Sequence, residues 1–166
     1  MIVYAKDDRP RILLTVRSRS VLLHRGQISF PGGARESKDK DILETALREC
    51  REEIGVKVER REVIGQLSPV YTLTSGYIVV PFVAFLEEPP ETEPNPAEID
   101  SVLEIPLQDL LDPKRFREET VELEGIPTRQ YFYGWKNHTI WGATARILKQ
   151  FLQIAYGLRC GGSKAF

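Results

Sequence analysis

The chain is poor in cysteine. Cys50 and Cys160 are the only two in 166 residues, too few to staple a scaffold of the kind that small oxidised domains use. Long apolar runs are missing as well: no segment approaches the roughly 18 residues of a membrane span, and Met1-Ile-Val-Tyr-Ala-Lys6 has no charged start followed by an apolar stretch, as a secretory leader has. A reducing cytoplasm is the expected location. Excess charge of one sign is also absent. With 23 basic and 24 acidic residues the formal charge is −1, so no global field gathers nucleic acid or an anionic membrane, and an anionic substrate has to be held locally. The two histidines, His24 and His138, have no second ligand at metal-binding spacing, which argues for structural roles and against zinc.

At 42 % hydrophobic the chain can bury one proper core. A single domain over residues 1–158 is expected, with 159–166 as a flexible tail. Ile2–Ala5 and Ile12–Val16 predict two strands joined by a turn over Lys6–Arg11. Further strands are expected at Glu62–Leu67, Ile78–Leu86 and Ser101–Ile105. Between Ile42 and Gly55 the period changes: Ile42, Leu43, Ala46, Leu47, Cys50 and Ile54 share one arc of a helix that Gly55 ends. Thr74-Ser75-Gly76 reads as a turn, Glu87–Pro96 as an exposed loop and Pro106–Leu111 as a short helix. In a last helix, Trp141, Ala145, Leu148 and Leu152 fall at core-facing spacing. A mixed sheet between two helical layers is the simplest α/β assembly.

The chemistry concentrates in Arg48-Glu49-Cys50-Arg51-Glu52-Glu53-Ile54-Gly55. Residues three and four apart share a helix face, so Glu49, Glu52 and Glu53 converge. Glu49 and Glu53 form a like-charged pair that costs about 0.2–0.5 kcal/mol, and Glu53 lies beside the apolar arc, where desolvation adds to the cost. A bound cation removes both penalties, and oxygen-only donors suit Mg²⁺ or Mn²⁺. The competing reading is a solvated acidic face in which Glu44 pairs with Arg48. Upstream, Phe30-Pro31-Gly32-Gly33 offers two glycines whose backbone amides can approach a phosphate near a helix amino terminus. Cys50 has no partner base and reads as a core residue.

Together, Gly33, Asp39 and Arg48–Gly55 resemble the Nudix box: a glycine, an acidic loop residue, then Arg-Glu-x-x-Glu-Glu-x-Gly. Asp39 stands where glutamate is usual and the stretch before Arg48 is one residue longer, both features of the coenzyme A diphosphatase branch. Leu13-Leu14-Thr15-Val16-Arg17-Ser18, Gly26 and Phe30–Gly33 are similar to that branch's upstream signature, as are Ser75-Gly76-Tyr77 and Ile140–Ala145. Leu22 departs from it, standing where the signature has arginine.

The resemblance implies an α/β/α sandwich around a mixed sheet, and a Mg²⁺- or Mn²⁺-dependent hydrolase acting on a diphosphate bond. Glu49 and Glu53 are implied as the principal metal ligands, with Glu52 as a further ligand or acting through water, and Arg48 orients the cluster. The general base is either Glu52 or Glu98, with a solvated loop residue as the plainer reading of Glu98. Arg17 and Arg25, together with Gly32 and Gly33, are the candidates for substrate contact. Coenzyme A or an acyl derivative is the leading substrate, giving adenosine 3′,5′-bisphosphate and phosphopantetheine. Leu22 keeps ADP-ribose or NADH open, since one charge-assisted contact is worth about 1.5–3 kcal/mol. A ligand-binding protein with this fold and no turnover is the rival from another class. The partner expected is a small nucleotide, with a homodimer allowed and neither nucleic acid nor membrane.

Overall fold

The computed structural model describes residues 1–18, 26–72, 76–123 and 125–157. Asp7 and Asp8 take φ values of 53° and 58°, the left-handed pair that a tight hairpin needs and aspartate tolerates. β1 (Ile2–Lys6) therefore folds back on β2 (Arg9–Arg17), with Ile2 opposite Leu13 and Lys6 opposite Arg9. The turn is shorter than the sequence suggests. Arg9, Pro10 and Arg11 belong to β2, because a proline without its N–H is tolerated near the start of a strand.

Next come β3 (Ile28–Ser29), α1 (Ile42–Ile54), β4 (Val63–Gln66), β5 (Val70–Tyr71), β6 (Ile78–Val79), β7 (Phe82–Leu86) and β8 (Ile99–Pro106). The chain continues through α2 (Leu107–Leu111), β9 (Phe116–Leu123), β10 (Ile126–Trp135), β11 (His138–Ile140) and α3 (Gly142–Tyr156). The main sheet runs β4-β7-β1-β2-β8, and β3 also pairs with β2. β1 and β7 are parallel while the other pairs are antiparallel, so the sheet is mixed. Strand alternation sends Val3, Ile12 and Leu14 to one face, where α3 covers them with Ala145, Leu148 and Leu152. Ile2, Tyr4 and Leu13 face the other way, against Cys50 and Ile54 of α1. Burying each such aliphatic side chain contributes about 1.5–3 kcal/mol. This is the expected α/β/α arrangement, and among the described residues no helix is long and apolar enough to cross a membrane.

Several elements differ from their sequence reading. The strand expected over Ile78–Leu86 breaks at Val80-Pro81, where proline brings no ladder donor. Phe116–Ile140, read without strands, forms an antiparallel three-stranded sheet, β11-β10-β9. Ile42 and Trp141 were expected on buried arcs, yet they are exposed. Ile42 opens the first turn of α1, beyond the cluster that Leu47, Cys50 and Ile54 pack into. Trp141 precedes α3 as its N-cap with extended backbone, so helical spacing does not govern it. The expected tail from residue 159, Thr74 and Ser75 of the expected turn, Leu22, His24 and Cys160 lie outside the described residues.

The Glu87–Pro96 stretch is a loop, but it does not hang free. Glu93 N–H donates to the Ile54 carbonyl and Asn95 N–H to the Glu53 carbonyl, both at 2.8 Å, satisfying acceptors that the end of α1 leaves open. Gly55 caps the helix at φ 73°, and an added Cβ there would lie 2.8 Å from Glu93 Cβ. Gly55→Ala is therefore expected to lower stability by about 1–3 kcal/mol, read as a shift of the urea midpoint. An unchanged midpoint would mean that the loop is not seated on the helix.

Candidate active site

The site is assembled where β2, the loop after β3, the second half of α1 and the loop before β8 meet. The register of β2 against β8 shifts between Val16 and Arg17, and Arg17 ends the strand with its guanidinium 3.4 Å from Glu53 Oε1. Gly32 N–H donates to Glu53 Oε2 at 3.1 Å. Gly33 lies over Glu49: a Cβ built on it would sit 2.4 Å from Glu49 Cδ, with both carboxylate oxygens within 2.6 Å. The glycine pair thus admits two glutamates of the later turns of α1. It does not sit at the helix amino terminus as the sequence reading placed it, because residues 33–41 run back along the helix before it begins.

Arg48 organises the adjoining side. Its Nε and Nη2 grip Asp39 at 2.9 and 3.0 Å, a bidentate pair, and Nη2 also donates to the Ala34 carbonyl at 3.2 Å. Nη1 reaches Glu49 Oε1 at 2.9 Å, Glu52 Oε2 at 2.8 Å and Glu36 Oε1 at 3.4 Å. Asp39 is buried and accepts further hydrogen bonds from Glu36 N–H and the Thr45 hydroxyl, both at 2.9 Å. The Arg48 hydrogen bonds hold its carboxyl well below the usual carboxylate range. One cation therefore ties the loop to the helix and aims Glu49.

Two glutamates are left in a different electrostatic position. Burial pushes Glu53 up to about 7, against the Gly32 hydrogen bond and Arg17, and the charges of Glu49 and Glu98 raise it further. Glu49 is raised for the same leading reason, desolvation, with Glu52 and Glu98 adding to it. Glu98 is held by its own backbone, its carbonyl accepting from Ser18 N–H at 2.7 Å and its N–H donating to Asn95 at 3.0 Å. Carboxylates crowded in this way, under a loop without side-chain bulk, fit a hard divalent cation. Among the described residues, the carboxylates that bring one oxygen each within 4.8 Å of one another are Glu36, Glu49 and Glu52, and Arg48 Nη1 already bonds that group.

These shifts set a pH dependence. Glu53 has a folded value near 7 and an ordinary value of 4.5, so the folded state holds more protons between the two. Stability of the metal-free protein is expected to fall as pH rises from 4.5 to 7, by up to about 3 kcal/mol. Asp39 acts oppositely only below its ordinary 3.8, outside this window, whereas the Met1 ammonium, which burial lowers from 8.0 to about 6, acts oppositely between those values, so the fall is cleanest from 4.5 to 6. Denaturant titration across pH with chelator reads the slope, and a stability flat from 4.5 to 6 would contradict it.

Of the residues singled out in the sequence, Arg17, Gly32, Gly33, Glu49, Glu53 and Glu98 come together. Glu52 stands on the Arg48 side, half exposed, with Lys38 Nζ 3.8 Å away. Arg25 lies outside the described residues. Cys50 is buried and its thiol is pushed up to about 11 by desolvation, consistent with a core role. His138 stacks on Trp135 in the second sheet. Sequence reasoning missed Glu36 and Thr45. Thr45 faces inward four residues before Glu49, a periodicity that was available, whereas Glu36 sits in an irregular loop with no pattern to mark it.

Both the sequence and the fold are matched by known proteins. The NUDIX domain model matches residues 1–123. The uncharacterized Nudix hydrolase NudL of Photorhabdus laumondii is 40 % identical over 145 residues, covering 87 % of this chain and 77 % of that one. NudL of Yersinia pestis is 35 % identical over 144 residues, covering 87 % and 72 %. Among solved structures, the NUDIX domain of Shewanella oneidensis NrtR complexed with ADP ribose superposes with a TM-score of 0.54 at 24 % identity, over 66 % of this chain and 71 % of that one. A MutT/nudix family protein from Enterococcus faecalis reaches 0.59 at 18 % identity, over 93 % and 59 %. The chain belongs to the Nudix hydrolase family, whose members act on nucleoside diphosphate derivatives and generally use divalent metal ions.

Proposed function

We propose that this chain hydrolyses the diphosphate bond of coenzyme A or an acyl-coenzyme A, releasing adenosine 3′,5′-bisphosphate and the phosphopantetheine half. The carrying observation is the placement of Glu49 and Glu53 against Gly33 and Gly32, with Arg17 alongside and the charge of Glu98 acting on both. The substrate assignment is supported by Leu13–Ser18, Gly26 and Phe30–Gly33, which resemble the coenzyme A branch. We assign Glu49 and Glu53 as the principal holders of Mg²⁺ or Mn²⁺, with Glu52 completing the acidic set. When bound, such an ion neutralises diphosphate oxygens and activates water for attack at phosphorus. Glu98 is the better candidate for the base that takes the proton from the attacking water. Glu52, the other candidate, is committed to Arg48 at 2.8 Å, whereas Glu98 accepts only a long bond from Asn95 Nδ2 at 3.4 Å and is near enough for its charge to raise both Glu49 and Glu53. We assign Arg17 and the Gly32-Gly33 backbone to contact with the diphosphate, which requires Arg17 and Gly32 N–H to exchange their present bonds to Glu53, and Arg25 keeps its assignment from the sequence alone.

Leu22 keeps a second reading open, cleavage of ADP-ribose or NADH, because it stands where the coenzyme A signature has arginine. Coenzyme A, ADP-ribose and NADH compared side by side with Mg²⁺ decide between them, with products resolved by chromatography. Preferential formation of adenosine 3′,5′-bisphosphate supports the first reading. Selective cleavage of either other substrate would replace it.

A further inference from the structure

Buried threonines spend their hydroxyl protons in two ways. Thr15 and Thr144 donate to the main-chain carbonyls of Ser29 and Ile28, at 3.1 and 3.0 Å, and so hold β3 in place. Thr45, 4 % exposed on the inner face of α1, donates at 2.9 Å to Asp39 Oδ2, a side-chain carboxylate of the loop before the helix. The usual acceptor for a threonine inside a helix is the carbonyl four residues back, and here that oxygen, of Asp41, is farther away at 3.4 Å. Among the described residues two other groups donate to Asp39. They are Glu36 N–H at 2.9 Å and the Arg48 guanidinium, with Nε at 2.9 Å and Nη2 at 3.0 Å. The three donors differ in stiffness. Glu36 belongs to the same loop as Asp39 and moves with it, and Arg48 reaches the carboxylate through a long side chain with several rotatable bonds. The Thr45 hydroxyl sits directly on the Cβ of a helical residue, whose χ1 is restricted by branching. Of the three, it is the donor that ties Asp39 to the body of α1.

We infer that Thr45 is a positioning residue of the site, whose hydroxyl sets the Asp39 carboxylate, through it the Arg48 guanidinium, and through that Glu49. The inference rests on the reading of Glu49 as a holder of the divalent ion and adds the group that aims it. A bidentate grip fixes the plane of a guanidinium as well as its distance, so the orientation of Asp39 decides where Nη1 points. Nη1 lies 2.9 Å from Glu49 Oε1 and 2.8 Å from Glu52 Oε2. Thr45, Arg48, Glu49 and Glu52 follow one another at helical spacing along one face of α1. The loop carrying Ala34 and Asp39 is bonded to that face through Arg48 Nη2. Loss of the Thr45 hydroxyl frees the carboxylate to turn, and the guanidinium that aims Glu49 turns with it.

Mn²⁺ binding to the full chain without substrate, read as loss of the free-ion EPR signal, tests this beside steady-state kinetics in Mg²⁺. Thr45→Val keeps the shape of the side chain and removes the hydroxyl. It is expected to weaken Mn²⁺ binding and to lower kcat, each about ten-fold, the scale of one hydrogen bond to a charged group, with KM little changed. Thr45→Ser keeps the hydroxyl and is expected to recover most of both. In an Asp39→Ala background, where the acceptor is gone, Thr45→Val is expected to add little further loss of Mn²⁺ affinity. Thr45→Val indistinguishable from wild type in both readouts, or fully additive with Asp39→Ala, overturns the inference. Thr45→Ser as impaired as Thr45→Val, or Thr45→Val too unstable to assay, overturns it too, by assigning the residue to packing. Because Mn²⁺ binding is read without turnover, the claims fail separately. Coenzyme A left uncleaved while Thr45→Val still weakens Mn²⁺ binding removes the substrate reading alone. Mn²⁺ bound by wild type and Thr45→Val alike removes the positioning role alone, and no Mn²⁺ binding by wild type removes the ion reading and the inference with it.

Discussion

Gly33→Ala is expected to reduce turnover by about two orders of magnitude while leaving the thermal midpoint nearly unchanged. The added methyl carbon would fall 2.4 Å from Glu49 Cδ, so one of the two must move. Glu49 is the far end of a flexible side chain and can swing away at little cost to the fold. Its carboxylate then leaves the position that Arg48 Nη1 gives it at 2.9 Å. Displacement of a positioned group by about 1 Å is enough to cost roughly 10²-fold. Steady-state kinetics beside a melting curve separate the two effects. A variant that keeps its activity would show that Glu49 is not needed where the structure places it, and a variant that unfolds would show that Gly33 serves stability instead.

Glu53→Gln should move activity and stability in opposite directions. The amide can still accept from Gly32 N–H but gives up the charge, and the loss of one anionic holder of a divalent ion is worth several kcal/mol, about 10³-fold in turnover. Without metal the same change relieves a buried carboxylate whose value is pushed to about 7. The metal-free variant is therefore expected to be more stable than wild type at pH 8, and Mg²⁺ should stabilise wild type far more than the variant. Denaturant unfolding with and without Mg²⁺ reads this directly. A variant less stable than metal-free wild type would mean that Glu53 is structural, held by Arg17 and Gly32 for the sake of the fold.

What could be read from the sequence was whatever local periodicity or fixed spacing encodes. The helix from Ile42, its end at Gly55, and the convergence of Glu49 and Glu53 all follow from 3.6-residue geometry, and the first hairpin follows from its apolar runs. Glu98 could be named but not placed, because its loop is brought to the helix by the Glu93 and Asn95 backbone bonds and to the end of β2 by the Ser18 bond, none of which has a local signal. The role of the glycine pair was misplaced for a similar reason: its partners, Glu49 and Glu53, lie 16 and 21 positions along the chain. The second sheet left a trace that went unused. Tyr131, Tyr133 and Trp135 alternate at the strand period, and all three are at least partly buried in β10. β9 hides better, since Arg117, Glu118 and Glu119 fill its middle and its stability comes from pairing with β10, not from an apolar face.

The most direct test of the central claim is a Mg²⁺ titration of coenzyme A hydrolysis by wild type and Glu53→Gln, read as the appearance of adenosine 3′,5′-bisphosphate. The account predicts product that rises and saturates with Mg²⁺ in wild type, vanishes with chelator and is nearly lost in the variant. Product formed equally well by Glu53→Gln, or without any divalent ion, would contradict it.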